Sequence, residues 1–238
     1  MHNILAIARK EFRSYFSSVI AYIFITLFLA VSGWLFMSGF FLVGQASLRP
    51  FFSLLPWLFL VFVPAVTMRL WAEEKKLGTI ELLMTFPVRD VEVVLGKFVA
   101  ALAFLAVALA LSFPLALTAA YAGDPDWGPI FGGYLGSLLL GGAYLAIGVF
   151  ASSLTENQIV AFLIAVVTCF GMYVTGEEFV LYRVPQALVG FLSYLSLGTH
   201  FESIGRGVLD TRDLIYYLSV IGFFLFLNVR SVESRKWK

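Results

Sequence analysis

The sequence predicts an all-α polytopic membrane protein with six transmembrane helices, and three observations carry that prediction. Of 238 residues, 61% are hydrophobic and 13% charged, whereas a soluble domain holds about 25% charged residues. The apolar residues gather into runs of roughly 18 or more, long enough to cross a bilayer as helices. The charges collect between those runs rather than inside them. A segment in lipid must satisfy its own backbone hydrogen bonds, so helices are the required form; the alternation of an outer-membrane strand is absent.

The chain opens on HNILAIARKEFRSYF, where Ile4, Leu5, Ala8, Phe12, Tyr15 and Phe16 share one helical face and His2, Arg9, Lys10 and Arg13 share the other. This predicts an amphipathic helix over residues 1–17, lying in the membrane interface with its basic face toward headgroups. The stretch is too charged for a signal peptide and has no small-residue cleavage pattern. Spans follow at about 19–43, 51–68, 98–121, 130–151, 159–175 and 214–229, the last borrowing a turn from each flank. Pro56, Pro64 and Pro114 are places for kinks. Gly132, Gly136, Ser137 and Gly141 give the fourth span small-xxx-small spacing for close helix packing.

Basic residues set the orientation. Arg9, Lys10, Arg13, Arg69, Lys75, Lys76, Arg89, Lys97, Arg230, Arg235, Lys236 and Lys238 fall on one side of a six-span arrangement. Only Arg49, Arg183, Arg206 and Arg212 fall on the other. Both termini and the connection between spans two and three are therefore expected in the cytoplasm.

Several function classes are disfavoured. No GxxxxGK[ST] phosphate loop occurs, since Gly96-Lys97 is followed by Phe98. His2 and His200 stand without a Cys or carboxylate at ligand spacing, so no metal site is expected. No Ser/His/Asp or paired-carboxylate arrangement can be assembled. The lone Cys169 lies inside an apolar run and builds no disulfide framework. The net charge of +1 gives no sign of nucleic-acid binding. Within their predicted bounds the spans contain no Asp, Glu, Lys, Arg or His, whereas a self-powered carrier usually keeps an ionisable group at membrane depth. Any work this chain performs is expected to be driven from outside the bilayer.

The stretch EEKKLGTIELLMTFP is where that drive would enter. Gly78-Thr79 breaks the preceding helix, Thr79 caps a new one, and Glu81 in its first turn suits the helix dipole. Ile80, Leu83, Met84 and Phe86 form an apolar arc, and Pro87 stops the helix. Glu73 and Glu74 flank it, and Asp90 and Glu92 open the third span. Such a helix suits a groove on a soluble partner. On the residues alone it reads equally well as a juxtamembrane turn kept in water by its charges.

On the outer side, residues 177–212 contain VPQALVGFLSYLSLG, too short to span but suited to a re-entrant or interfacial hairpin. Thr199 and Glu202 have capping-box spacing before a short helix to about Leu209. Glu177, Glu178, Arg183 and Arg206 gather there, for mutual ion pairing, headgroup contact or an extracytoplasmic gate.

The run Glu74…Gly78-Thr79-x-Glu81-x-Leu83…Pro87, closing with Gly96-Lys97, resembles the cytoplasmic signature of ABC-2-type transporter permeases. The tail HFESIGRGVLDTRDLIYYLS…FFLFLNVRSVESRKW is similar to the subgroup linked to gliding motility and to copper-site maturation of nitrous oxide reductase. The resemblance implies one ABC-2-type transmembrane domain over 1–238, with an interface helix (1–17), a coupling-helix loop (73–88) and an outer hairpin (177–212). It also implies a bacterial cytoplasmic membrane, a second permease copy or paralogue, and two ABC ATPase subunits that supply the ATP and Mg chemistry. This chain would then hold no cofactor and be no enzyme. Its work would be export of a hydrophobic or amphipathic cargo. The other reading is a mechanical or anchoring role beside a membrane protein with a large extracytoplasmic domain.

Overall fold

The computed structural model describes residues 2–79, 88–207 and 210–234. Twelve helices and no strand occur among the described residues, in keeping with the all-α expectation. Five helical rods are long and apolar enough to cross a membrane: Val19–Leu42, Arg49–Lys76, Asp90–Ala122, Trp127–Leu154 and Thr211–Glu233.

Helix α1 (His2–Ser17) is followed directly by α2 (Val19–Val43), which Ser18 caps by accepting from Ile20 N at 3.3 Å. Gly44 ends α2 in the left-handed region that suits a residue without Cβ. α3 (Arg49–Thr67) runs on into α4 (Arg69–Lys76), and the joint at Met68 keeps helical angles, so the two make one rod. Pro56 and Pro64 are accommodated inside α3. α5 (Asp90–Leu111) begins two turns before the predicted third span, with Arg89 N donating to Glu92 Oε2 at 3.1 Å. A break at Ser112 then precedes α6 (Pro114–Ala122), because proline has no N–H to continue the ladder.

α7 (Trp127–Leu154) is the centre of the molecule, packing against α3, α4 and α5 and against helices that follow it. Its small residues permit this. A Cβ on Gly148 would lie 2.1 Å from Thr67 Oγ1, so α3 and α7 touch there at a distance only glycine allows. Gly132 and Gly136 likewise face Ile204, and Gly141 faces Leu105. α8 (Gln158–Val174), capped by Asn157, fills the place of the fifth predicted span. Its 17 residues reach about 25 Å at 1.5 Å per residue, short of a hydrocarbon layer of about 30 Å. The last rod, α12 (Thr211–Glu233), extends the sixth predicted span by turns at both ends, with Asp210 as its cap.

The connection between α8 and α12 holds α9 (Glu178–Leu181), α10 (Gln186–Leu195) and α11 (Leu197–Gly205). The apolar α10 buries none of its side chains, whereas α11 buries Leu197, His200, Phe201 and Ile204 against the bundle. One expectation is corrected here. The cap of α11 is Ser196, not Thr199: Ser196 Oγ accepts from Gly198 N at 3.2 Å and donates to Tyr173 O at 2.8 Å. Thr199 lies within the first turn and donates to Ser193 O at 3.0 Å. α11 stops at Gly205, and the predicted end near Leu209 lies outside the described residues.

Candidate functional site

The site is built where α4 leaves the bundle. Lys97, about two turns into α5, is 1% exposed. A buried ammonium needs an acceptor for each of its three donors, and three oxygens provide them. Its Nζ lies 2.6 Å from Glu74 Oε1, 3.0 Å from Leu70 O and 3.5 Å from Glu11 Oε1. The Trp71 ring sits 5.0 Å from the same nitrogen and adds its negative face. One side chain of α5 thereby binds α4 and α1 together.

α7 holds α4 from the opposite side. Ser152 Oγ donates to Met68 O at 2.8 Å and accepts from Trp71 N and Ala72 N at 3.0 and 3.1 Å, spanning the joint of the rod. Lys75 Nζ donates to Ser153 O, and the Ser153 and Ser231 hydroxyls lie 3.0 Å apart, which brings in α12. α1 is docked in the same way. Asn3 Nδ2 donates to Glu92 Oε2 at 3.1 Å, Tyr15 stacks on Phe104 with centroids 5.0 Å apart, and Gly96 admits Ile7. A Cβ at Gly96 would meet Ile7 at 2.6 Å. Gly96-Lys97 therefore joins two tasks in adjacent residues: close approach of α1, and the cation under α4.

Of the residues expected to carry coupling, Glu73 is exposed and Glu74 is half-buried on Lys97. Gly78 takes φ 68° and ends the segment, as the Gly-Thr break predicted. The Thr79 hydroxyl donates back to Glu74 O at 3.3 Å. Ile80, Glu81, Leu83, Met84, Phe86 and Pro87, with the short helix expected over them, lie outside the described residues. On α1, Arg9, Lys10 and Arg13 are exposed and Phe12 is half-buried. The apolar face predicted to rest on lipid is largely spent on α5, with Ala8 and Tyr15 buried and Leu5 left outward.

Of the alternatives expected for Glu177, Glu178, Arg183 and Arg206, mutual ion pairing is not what the side chains make. Glu177 and Glu178 line a cavity of about 450 Å³ together with Glu202, Ser196 and Thr199. Arg183 and Arg206 stand outside it, exposed, and no ion pair joins the four among the described residues. Partial burial, then the neighbouring Glu202 charge, push the Glu177 carboxyl above its usual range, against an opposing hydrogen bond from Tyr173.

His200 is not isolated, contrary to the sequence expectation. Its Nδ1 lies 2.6 Å from Asp213 Oδ1 and its Nε2 3.0 Å from Tyr194 O, with the Tyr216 ring stacked at 3.9 Å. Tyr217 donates to Leu197 O at 2.7 Å. The ring thus straps α10 and α11 to α12. No group of three metal-ligating side chains occurs among the described residues.

A family model described as ABC-2 family transporter protein matches residues 54–227, well over half of the chain. The chain belongs to the ABC-2 transporter family. The match begins inside α3 and ends inside α12, so it contains most of the rod, all of α4, Lys97, Ser152 and Ser153. As an ABC-2 family member the chain is a multi-pass membrane protein and the permease component of an ABC transporter, a class that works with a partner ABC ATPase. Among curated proteins, none matches the chain.

Proposed function

We propose that this ABC-2 permease is the membrane half of an exporter whose ATPase pushes on residues 78–87. The carrying observation is the fastening of α4, through Lys97, Ser152 and Ser153, to α1, α5, α7 and α12. A push on an amphipathic loop moves a bundle only if the loop's root is stiff, and this root is tied on every side. In this reading six spans cross a bacterial cytoplasmic membrane, α8 being the short fifth one. Both termini and α4 face the cytoplasm, two ATPase subunits hold ATP and Mg, and a second copy or paralogue completes the pathway. The cargo is hydrophobic or amphipathic, in keeping with the scarcity of charge in the spans.

Co-purification tests the coupling: the ATPase is retained by the wild type and lost when residues 78–87 are scrambled. Retention after scrambling removes the assignment. Reconstituted complex should then show ATP-dependent movement of a labelled lipid or peptide. The strapping of α11 to α12 supports a second reading, in which motion is relayed to a large extracytoplasmic partner of the gliding-motility kind and nothing crosses. ATP turnover that moves no cargo but restructures that partner would favour it.

A further inference from the structure

We infer that the α1 end of the bundle binds one aminophospholipid of the phosphatidylethanolamine type. The headgroup lies beside Arg69 and Glu73, and the start of an acyl chain lies against Phe24, Val66 and Phe104. A cavity of about 450 Å³ opens between α1 and α4. It adjoins a second of about 130 Å³, the two sharing Tyr15, Ile20, Arg69 and Glu73. The second shares Phe24, Val66 and Phe104 with a crevice between α2, α3 and α5 whose lining is wholly apolar. A polar mouth leading into an apolar groove is the shape of a phospholipid, and too greasy at depth for a soluble metabolite.

The charges select the headgroup. Lys10, Arg69 and Lys97 face Glu11, Glu73 and Glu74 around the mouth, a neutral set. Lys97 is occupied by Glu11 and Glu74. Of the three charged groups left, Lys10 lines only the outer of the two chambers, whereas Arg69 and Glu73 line both. These two lie one turn or about 6 Å apart along α4, and no ion pair joins them among the described residues. The guanidinium lies instead 5.4 Å over the Tyr15 ring. Tyr15 is 3% exposed, lines both chambers, and its hydroxyl has no partner among the described residues. A cation and an anion held a turn apart and unjoined complement a phosphodiester with an ammonium two carbons away. A glycerol headgroup offers Glu73 only neutral hydroxyl donors, weaker partners than an ammonium, and a choline headgroup has no N–H to donate to it. The site goes beyond the transport reading and does not depend on it, because the lipid is held whether or not a cargo moves.

Native mass spectrometry of the delipidated full chain tests this, with phosphatidylethanolamine, phosphatidylglycerol, phosphatidylcholine and soluble glycerophosphoethanolamine titrated separately. Phosphatidylethanolamine should bind at least about tenfold more tightly than phosphatidylglycerol, the scale of one charged hydrogen bond. Glu73→Gln should erase that preference, and Arg69→Gln should weaken both lipids by a similar factor; Arg69→Lys replaces it should Arg69→Gln fail to fold. Equal binding of the two lipids by the wild type, or an unchanged preference in Glu73→Gln, overturns the inference. Soluble glycerophosphoethanolamine binding as tightly as the lipid overturns it too, since the site would then hold a free headgroup. ATPase co-purification on the same variants is a separate readout, so loss of lipid and loss of coupling are distinguishable.

Discussion

The two ends of the bundle treat charge in opposite ways. At the α4 end a buried lysine is met by two carboxylates and a carbonyl, and every contact crosses between helices. At the α9–α11 end three glutamates share a cavity of about 450 Å³ while the nearby arginines stand apart. The first arrangement locks neighbouring helices to one another; the second leaves like charges free to move and separate. The difference teaches where the molecule is stiff and where it can give.

The largest test of that contrast is Lys97→Met. It leaves Glu74 and Glu11 with a partly buried charge and no cation, and removing one member of a buried pair costs about 3–5 kcal/mol. Thermal unfolding of the purified chain should show it, and an unchanged melting point would break the comparison. Gly148→Ala forces a methyl onto Thr67 and should cost about 1–3 kcal/mol as an overpacked contact, again read by melting. Asp213→Ala strands His200 and loosens α11, at about 1–3 kcal/mol for an unmet buried polar group. Its signature is faster proteolysis between α10 and α12 while α4 stays protected. Ser152→Ala removes the bridge across the rod's joint at about 1 kcal/mol. It should reduce ATPase-coupled activity more than it reduces stability.

The smallest effect is at Glu177. Its folded carboxyl titrates above the unfolded one, so the fold is favoured at low pH and loses that advantage as pH rises through the raised value. Glu177→Gln mimics the protonated form. Its melting point should match the wild type in acid and exceed it increasingly as pH climbs past the ordinary glutamate value of 4.5. Identical pH profiles would show that the cavity around Glu177 carries no electrostatic strain.

The rods were legible because lipid imposes a simple rule on sequence, and 19–43 could be bounded from its apolar run alone. The start of α5 was legible only in part: Asp90 and Glu92 marked the opening of the helix, while the apolar run placed the span no earlier than residue 98. Asp90 to Lys97 looks like a watery connection, yet its Lys97 is sheltered by protein rather than by lipid. Lys97 pairs with residues 23 and 86 positions away, and no local period announces such contacts. His200 and Asp213 failed for the same reason, being joined across a turn between two helices. Thr199 lost the cap because Ser196, three residues earlier, offers the same hydroxyl and also reaches Tyr173. The Gly78 stop was readable since one backbone conformation dictates one residue type.

Arg49–Lys76 is a single shaft of 28 residues, about 42 Å long at 1.5 Å per residue. Its tightest point of contact, Thr67 on Gly148, sits off centre, with about 27 Å toward Arg49 and about 14 Å toward Lys76. Tilting about such a fulcrum doubles displacement from the short arm to the long one. A nudge of about one ångström at Lys76 would swing the Arg49 end by about two.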